Sequence, residues 1–486
     1  MRHLEIKLGS TYLRTKVLES HPIFGPIRQL VRSKASVWRL NPRFRRWEIV
    51  AEFYTYNPVS GILRLPIGYL NSITELCQSN GVTVSCTEDV IIEPRLIDIS
   101  LKPGIISRPH QIDPINFFSS PTGLPRRGLE LQTGKGKTFV TIASIANLGC
   151  ASIIICAGLT DLWLRELSHF VNCDDIYLIQ TRQSLEKLFS SGALPSLFVA
   201  SLGTLRLYSQ AAEAYRALPM NYPQFLEHFG IGIKVIDEVH LNAHAVTQLD
   251  LFANVKFNWY LSATFRRTSY ETERIFNLIY PPKMKYGQGV YHKYVSLYYY
   301  GYSSGVPSDK TVGPRGYQHS RFEKYLLQRV TKFKSWIQNI IVSRTLVHFL
   351  NIRTTGEKML VFVATTDMAD AVAKSLRQEF PLLRIVTFYG SDDDSKTDVC
   401  DIIVSTPKKC GVGTDIANLR TLINTISTQA SEQIEQWFGR LREIKGTELH
   451  FVQLYDRFNT NHLRHIAVHK DICQALAAKC FDYTLD

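Results

Sequence analysis

Thr133-Gly134-Lys135-Gly136-Lys137-Thr138, running into FVTIASIA (139–146), and IGIKVIDEVH (231–240) are the two stretches that decide how this 486-residue chain is read. In the first, glycines let backbone N–H groups wrap an anion at a helix start. A lysine there reaches the outer phosphates of a nucleotide, and a threonine hydroxyl is placed to ligate Mg²⁺. The small residue that usually opens such a loop is replaced by Leu131. In the second, an apolar run ends on Asp237 and Glu238. Paired acids at the tip of a buried strand are costly unless a metal or a water uses them. One carboxylate then holds the Mg²⁺ shell while its neighbour orients and deprotonates the attacking water. Read alone, the first stretch is also compatible with a flexible Gly-Lys loop, and the second with a helix cap or solvated turn.

Outward from these stretches the pattern is α/β. The short β-branched runs ASIIICA (151–157), IGIKVI and NWYLSAT (258–264) alternate with amphipathic segments such as DLWLRELSHF (161–170). That is the signature of a parallel sheet wrapped by helices. A second set follows, with KMLVFVAT, LLRIVTFYG, DVCDIIVST and RTLINTI as strands and MADAVAKSLRQEF and SEQIEQWFGRLREI (431–444) as helices. Residues 301–320, rich in Gly, Ser and Pro, read as an exposed loop. LRHIAVHKDICQALAAKC (463–480) is helical in pattern. Residues 1–47 hold eleven Lys or Arg against Glu5 and Glu19. The segment 37–70 alternates aromatic and basic residues and breaks at Asn57-Pro58 and Ser60-Gly61, as in a small separate α+β module ending near residue 97. Its Trp38, Phe44, Trp47, Phe53 and Tyr54 suit a packed core as well as stacking on bases. The expected division is 1–97, 98–285 and 286–486.

Composition narrows the function classes. A 45% apolar and 20% charged chain with 25 Phe and 23 Tyr supports packed interiors and excludes a disordered chain. A formal net charge of +13 points to an anionic polymer as partner. Nine cysteines without a Cys-x-x-Cys pair give neither a disulfide framework nor a zinc knuckle. No signal peptide or membrane span is readable, so a soluble, intracellular, cytoplasmic protein is expected.

With the phosphate loop and DEVH in order, the chain resembles a superfamily 2 helicase of the DExH type. Ser262-Ala263-Thr264 matches that family's SAT motif, and Arg108-Pro109-His110-Gln111 resembles its adenine-reading R-x-x-Q element, which otherwise reads as a helix start. IIICAGLTDLWLREL stands in the place of its first nucleic-acid motif, with Ala157 where proline is usual and without the PTRELA string of DEAD-box RNA helicases. Ser405-Thr406 with Gly411-Val412-Gly413-Thr414-Asp415 looks like motif five. Gln436-Trp437-Phe438-Gly439-Arg440-Leu441-Arg442 looks like motif six, its second arginine one residue closer than is common.

The resemblance, over about residues 105–445, implies two RecA-like parallel-sheet domains in tandem behind the small N-terminal α+β domain, with ATP and Mg²⁺ as cofactors. Arg108, Gln111, Thr133, Gly134, Lys135, Gly136, Lys137, Thr138, Gly413 and Asp415 would bind the nucleotide. Thr138 and Asp237 would hold the metal, and Lys137, Asp237, Glu238, Gln436, Arg440 and Arg442 would act in hydrolysis. His240, Ser262 and Thr264 would couple the nucleotide to movement. Arg43, Arg45, Arg46, Trp47, Thr406, Lys408 and Lys409 would contact nucleic acid. Hydrolysis in a cleft shared by the two domains would then drive translocation. The compact build is similar to phage branch-migration helicases of the UvsW type, which implies a monomeric DNA helicase acting on forks and junctions in replication, recombination or repair. An RNA helicase, a translocase that does not separate strands and an ATP-gated binding protein remain as alternatives.

Overall fold

A computed structural model describes residues 3–41, 46–131, 135–239, 242–262, 265, 270–287, 292–313, 316–410, 416–474 and 476–485. The chain divides into two compact units, residues 1–288 and 289–486.

The first unit opens with a mixed five-stranded sheet in the order Thr55–Asn57, Ile62–Pro66, Tyr12–Lys16, His3–Leu8, Thr83–Glu88. Alternation builds it: in His3–Leu8, Leu4 and Ile6 face inward while the residues between them face solvent. Helices Phe24–Lys34 and Leu70–Ser79 cover that face with Ile27, Leu30, Val31, Ile73 and Cys77. A separate ribbon pairs Ser36–Asn41 with Arg46–Glu52.

Seven parallel strands follow, in the order Ile176–Ile179, Leu197–Ser201, Ser152–Cys156, Ile233–Ile236, Phe257–Ser262, Arg126–Glu130, Lys285–Gly287. Both faces are buried, as a parallel sheet requires: Ile153 and Ile155 join one apolar cluster, and Ile154 and Cys156 join another. Phe53, from the ribbon's end, belongs to the first of these clusters and packs edge-on against His244, so it serves the core.

Inside this sheet lies a charge pair. Lys234, at 0% exposure, places Nζ 2.5 Å from Asp250 Oδ1, while Tyr260 donates to Asp250 Oδ2 at 2.8 Å. The carbonyl of Asp250 accepts from Thr11 Oγ1 at 2.6 Å, and Ser10 N donates to Asn254 Oδ1 at 2.7 Å. Glu52 O accepts from Gln248 Nε2 at 2.7 Å. The helix Ala243–Asp250 thereby carries the N-terminal module on one side and the sheet on the other.

The second unit is again a seven-stranded parallel sheet: Ile385–Phe388, Ile402–Ser405, Lys358–Phe362, Leu419–Asn424, Leu449–Asp456, His292–Tyr302, Ala477–Thr484. The architecture is two RecA-like domains in tandem with a small N-terminal α+β domain. Among the described residues, no helix is long and apolar enough to cross a membrane.

Three expectations about local structure are corrected. The helical pattern of 463–480 holds only for Thr460–Cys473; Ala477–Thr484 is an edge strand beside His292–Tyr302, where Phe481 and Tyr483 stack on Tyr298 and Tyr300 at 5.0 Å each. Sheet pairing and ring stacking outweigh the helical propensity of Leu-Ala-Ala. Residues 301–320 are not one exposed loop: the preceding strand runs to Tyr302, Ser304, Val306 and Thr311 are buried, and Val312–Gly313 pairs with Gly316–Tyr317. The helix Ser431–Phe438 stops short of the expected 444, because Gly439 begins a turn in which Arg440 N donates to Trp437 O.

The buried pair predicts that Lys234→Met, which strands the Asp250 carboxylate, destabilises the first unit by about 3–5 kcal/mol in urea unfolding. Lys234→Met combined with Asp250→Leu should recover part of that loss.

Acid should act on the second unit. Burial pushes His319, His348 and His469 down to about 3, His450 down to about 4 and His462 well below the usual 6.5, while it pushes Glu323 up to about 7. The histidines therefore support the fold fully above pH 6.5 and lose that support as pH falls toward their folded values. Glu323 opposes them between pH 7 and 4.5 as a single group. The urea midpoint of this unit should drop steeply from pH 6.5 to 4.5; a level midpoint would contradict the buried neutral rings.

Candidate active site

The site in the first unit is built by three loops leaving the carboxyl ends of adjacent parallel strands. Each is pinned to its neighbour: Leu131 N donates to Ser262 O at 3.3 Å, Val239 N to Leu261 O at 3.1 Å and Asp237 N to Ile155 O at 2.9 Å. Ser262 thus meets the phosphate loop through its backbone and is itself fully buried.

Gly136 caps the helix Lys137–Leu148 in the left-handed region, with φ 86° and ψ 37°. A Cβ built there would lie 2.3 Å from Gln111 Nε2 and push that amide aside, and the left-handed backbone itself calls for glycine. Gln111 is buried at the start of helix Pro109–Ser119: its Oε1 accepts from Arg108 N at 2.9 Å, and its Nε2 faces Lys135 O at 3.5 Å. The sequence left this element open between a helix start and an adenine reader. A helix does begin at Pro109, and Gln111 also meets the glycine-rich segment at Lys135. Arg108 itself is exposed.

Lys137 and Thr138 form the first turn of that helix. Lys137 Nζ donates to Leu131 O at 3.3 Å and lies 3.7 Å from Glu238 Oε1. Asp237 accepts from Trp163 Nε1 at 2.9 Å through Oδ2 and from Glu238 N at 2.9 Å through Oδ1. Burial foremost, and then the neighbouring Glu238 charge, raises the Asp237 carboxyl to about 6, with Lys137 working against the rise. Glu238 is a non-glycine residue at φ 48°, a strained backbone of the kind that collects at functional positions.

Among the described residues no group of three or more His, Cys, Asp or Glu could hold a metal unaided. The oxygens of Asp237 and Thr138 are hard donors, and a buried carboxylate whose charge is disfavoured gains from a cation. The set therefore fits a Mg²⁺ that arrives with phosphates supplying further ligands.

Thr133, Gly134, His240 and Thr264 lie outside the described residues, as do Gly413, Asp415, Arg43, Arg45 and Phe44. In the second unit, Gln436 is half-buried in the helix Ser431–Phe438, Arg440 is half-buried in the turn after it, and Ile434, Trp437, Phe438 and Leu441 pack inward. Arg442 is exposed on the turn that follows. Thr406 is buried and Lys408 exposed. Lys409 is engaged with Asp392 O at 2.7 Å and with the Phe388 ring. Trp47 is 62% exposed on the ribbon, and Arg46 pairs with Glu48 at 2.8 Å. Sequence reasoning missed Trp163, which holds Asp237. It reads as one more apolar position of an amphipathic helix, and only the fold shows its indole N–H aimed at the acid.

No protein-family model and no curated protein matches the chain. Among solved structures it is similar to T4 UvsW, at 14% identity over 100% of both chains with a TM-score of 0.36. It is also similar to an S. cerevisiae Dbp5 variant bound to Nup159, a Gle1 variant, IP6 and ADP, at 14% identity over 78% of this chain and 92% of that one with a TM-score of 0.40. Neither likeness assigns a residue or a ligand to this chain.

Gly136→Ala should cost about 1–2 kcal/mol of stability from the left-handed backbone alone and should weaken binding of a fluorescent ATP analogue at least tenfold. Undiminished nucleotide binding would mean that the glycine cradle is not where phosphate sits.

Proposed function

We propose that the protein is an ATP-driven nucleic-acid motor, a helicase or translocase acting on DNA, with forked or junction DNA as the preferred substrate in replication, recombination or repair. One observation carries the reading: a lysine at the first turn after a left-handed glycine, 3.7 Å from an acid whose neighbour is a buried carboxylate, at the carboxyl edge of a parallel sheet. That constellation suits phosphoryl transfer, where catalysis is mostly positioning and charge stabilisation.

In this reading the Lys137 ammonium leaves Glu238 for the β and γ phosphates when nucleotide arrives. Glu238 orients the attacking water and accepts its proton. Thr138 and Asp237 would hold the divalent cation, which supplies charge neutralisation on the phosphate oxygens. Trp163 keeps Asp237 aimed. Arg440 is proposed as the leading cation on the departing phosphoryl group, with Gln436 and Arg442 from the same motif. Arg46, Trp47, Thr406 and Lys408 are the proposed contacts to the polymer, in keeping with the basic N-terminal composition.

Rivals separate by stimulation. ATPase activity raised by RNA alone would make it an RNA helicase. Displacement of a triplex without unwinding would make it a translocase, and nucleotide-dependent binding without turnover an ATP-gated binder. Equal unwinding of forks, four-way junctions and plain duplex would reject branch preference. Lys137→Ala and Glu238→Gln should each lower DNA-stimulated phosphate release by at least a thousandfold, with Glu238→Gln still binding ATP; near-normal turnover in either would remove that residue from the mechanism.

A further inference from the structure

In the second unit, the segments leaving three neighbouring strands enclose a cleft of about 670 Å³. Ala364 follows Lys358–Phe362, Pro407 follows Ile402–Ser405, and residues 426–430 follow Leu419–Asn424. The carboxyl edge of a parallel sheet is where such folds take ligands, and the volume lies in the range of small-ligand sites.

The lining has a definite chemistry. Gln429, Gln433 and Asn461 bring side-chain amides, each both donor and acceptor; Arg464 brings a guanidinium; and no carboxylate lines the cleft among the described residues. Tyr317 and His465 are fixed in place. The Tyr317 hydroxyl is 2.6 Å from His319 Nδ1 and 2.5 Å from His462 Nε2, while His465 Nδ1 is 2.8 Å from Ser427 Oγ. The Tyr317 ring also meets His465 edge-on at 5.0 Å. Amides match the edges of a base, a rigid aromatic offers a stacking surface, and a guanidinium in a lining without carboxylates among the described residues matches a phosphate. An isolated phosphate would have no use for the amides, and an apolar ligand none for Arg464. Pro407 also adjoins Thr406 and Lys408, the contacts proposed above for the polymer.

We propose that this cleft holds one unpaired nucleotide, its base against the amides of Gln429 and Gln433 and its phosphate on Arg464, as part of the strand that the motor tracks. The inference rests on the motor reading and adds to it a base-binding subsite. A nucleotide has two sources, a strand or a free mononucleotide, and the test separates them.

The probe is a fluorescein-labelled fifteen-nucleotide oligo-dT, titrated by anisotropy across a KCl series. Arg464→Ala should weaken binding about tenfold and reduce the slope of log affinity against log salt by about one, with Arg464→Lys keeping the slope. Gln429→Ala combined with Gln433→Ala should weaken binding about tenfold at unchanged slope, and an oligonucleotide with abasic positions should show no such loss. Because Arg464 and Gln433 are exposed, these variants keep the fold, which the melting temperature verifies. Wild-type affinity and slope in both variants would overturn the cleft while leaving the motor intact. Saturable dTMP binding that Arg464→Ala abolishes and oligo-dT does not compete away would overturn the strand as its source. A wild-type protein that binds neither oligo-dT nor oligo-U would instead overturn the motor reading itself.

Discussion

Parallel pairing is the constraint from which the rest follows. A strand that runs beside parallel neighbours delivers its last residue to the same edge as theirs, and Ile233–Ile236 is held this way between Ser152–Cys156 and Phe257–Ser262. The lysine loop, the acidic pair and the segment after Ser262 are far apart in sequence, yet register alone brings them to one rim. The backbone bonds from Leu131, Asp237 and Val239 then fix the height of each loop to its neighbour. A catalytic group placed like this has few ways to be wrong by an ångström.

One strand carries two acid–base problems and resolves them differently. Near its start, Lys234 is neutralised by Asp250 in a dry interior, where Tyr260 satisfies the second carboxylate oxygen. At its end, Asp237 is buried and sits beside the Glu238 charge, so its proton is held more tightly than in an ordinary carboxyl group, even though Trp163 and the Glu238 backbone donate to it. The first arrangement is complete in itself. The helix that supplies Asp250 also carries the N-terminal module through Thr11 and Glu52, with Ser10 bonded to Asn254 just beyond it, so the basic ribbon rests on the segment following the acidic pair.

Much of this was legible in the sequence because strongly periodic or β-branched runs leave a buried strand few alternatives. ASIIICA and IGIKVI each contain a strand of the first sheet and NWYLSAT covers all but the first residue of another, while KMLVFVAT and DVCDIIVST each contain one of the second. Lys137 and Glu238 were legible as chemistry before they were neighbours in space. Trp163 was not, since an indole on an apolar helix face gives the same pattern whether or not its N–H has a task. Nor was Asp250, whose partner lies sixteen residues away on another element. Ala477–Thr484 misled because edge pairing and the stacking of Phe481 and Tyr483 are decided by a strand nearly two hundred residues earlier, which no local window contains.

That same long-range pairing bears on how the molecule is made. His292–Tyr302, first in sequence within its sheet, takes Leu449–Asp456 as one neighbour, and Ser296 meets Glu448 across a separation of 152 residues. While the chain emerges from a ribosome, this tyrosine-rich strand must wait, unpaired on both sides, until its partners have been synthesised, whereas every strand of the first sheet is already available. Slow translation beyond residue 300 would therefore prolong the exposure of an aggregation-prone edge. Expression yield should respond to codon choice in that interval more than anywhere else in the gene.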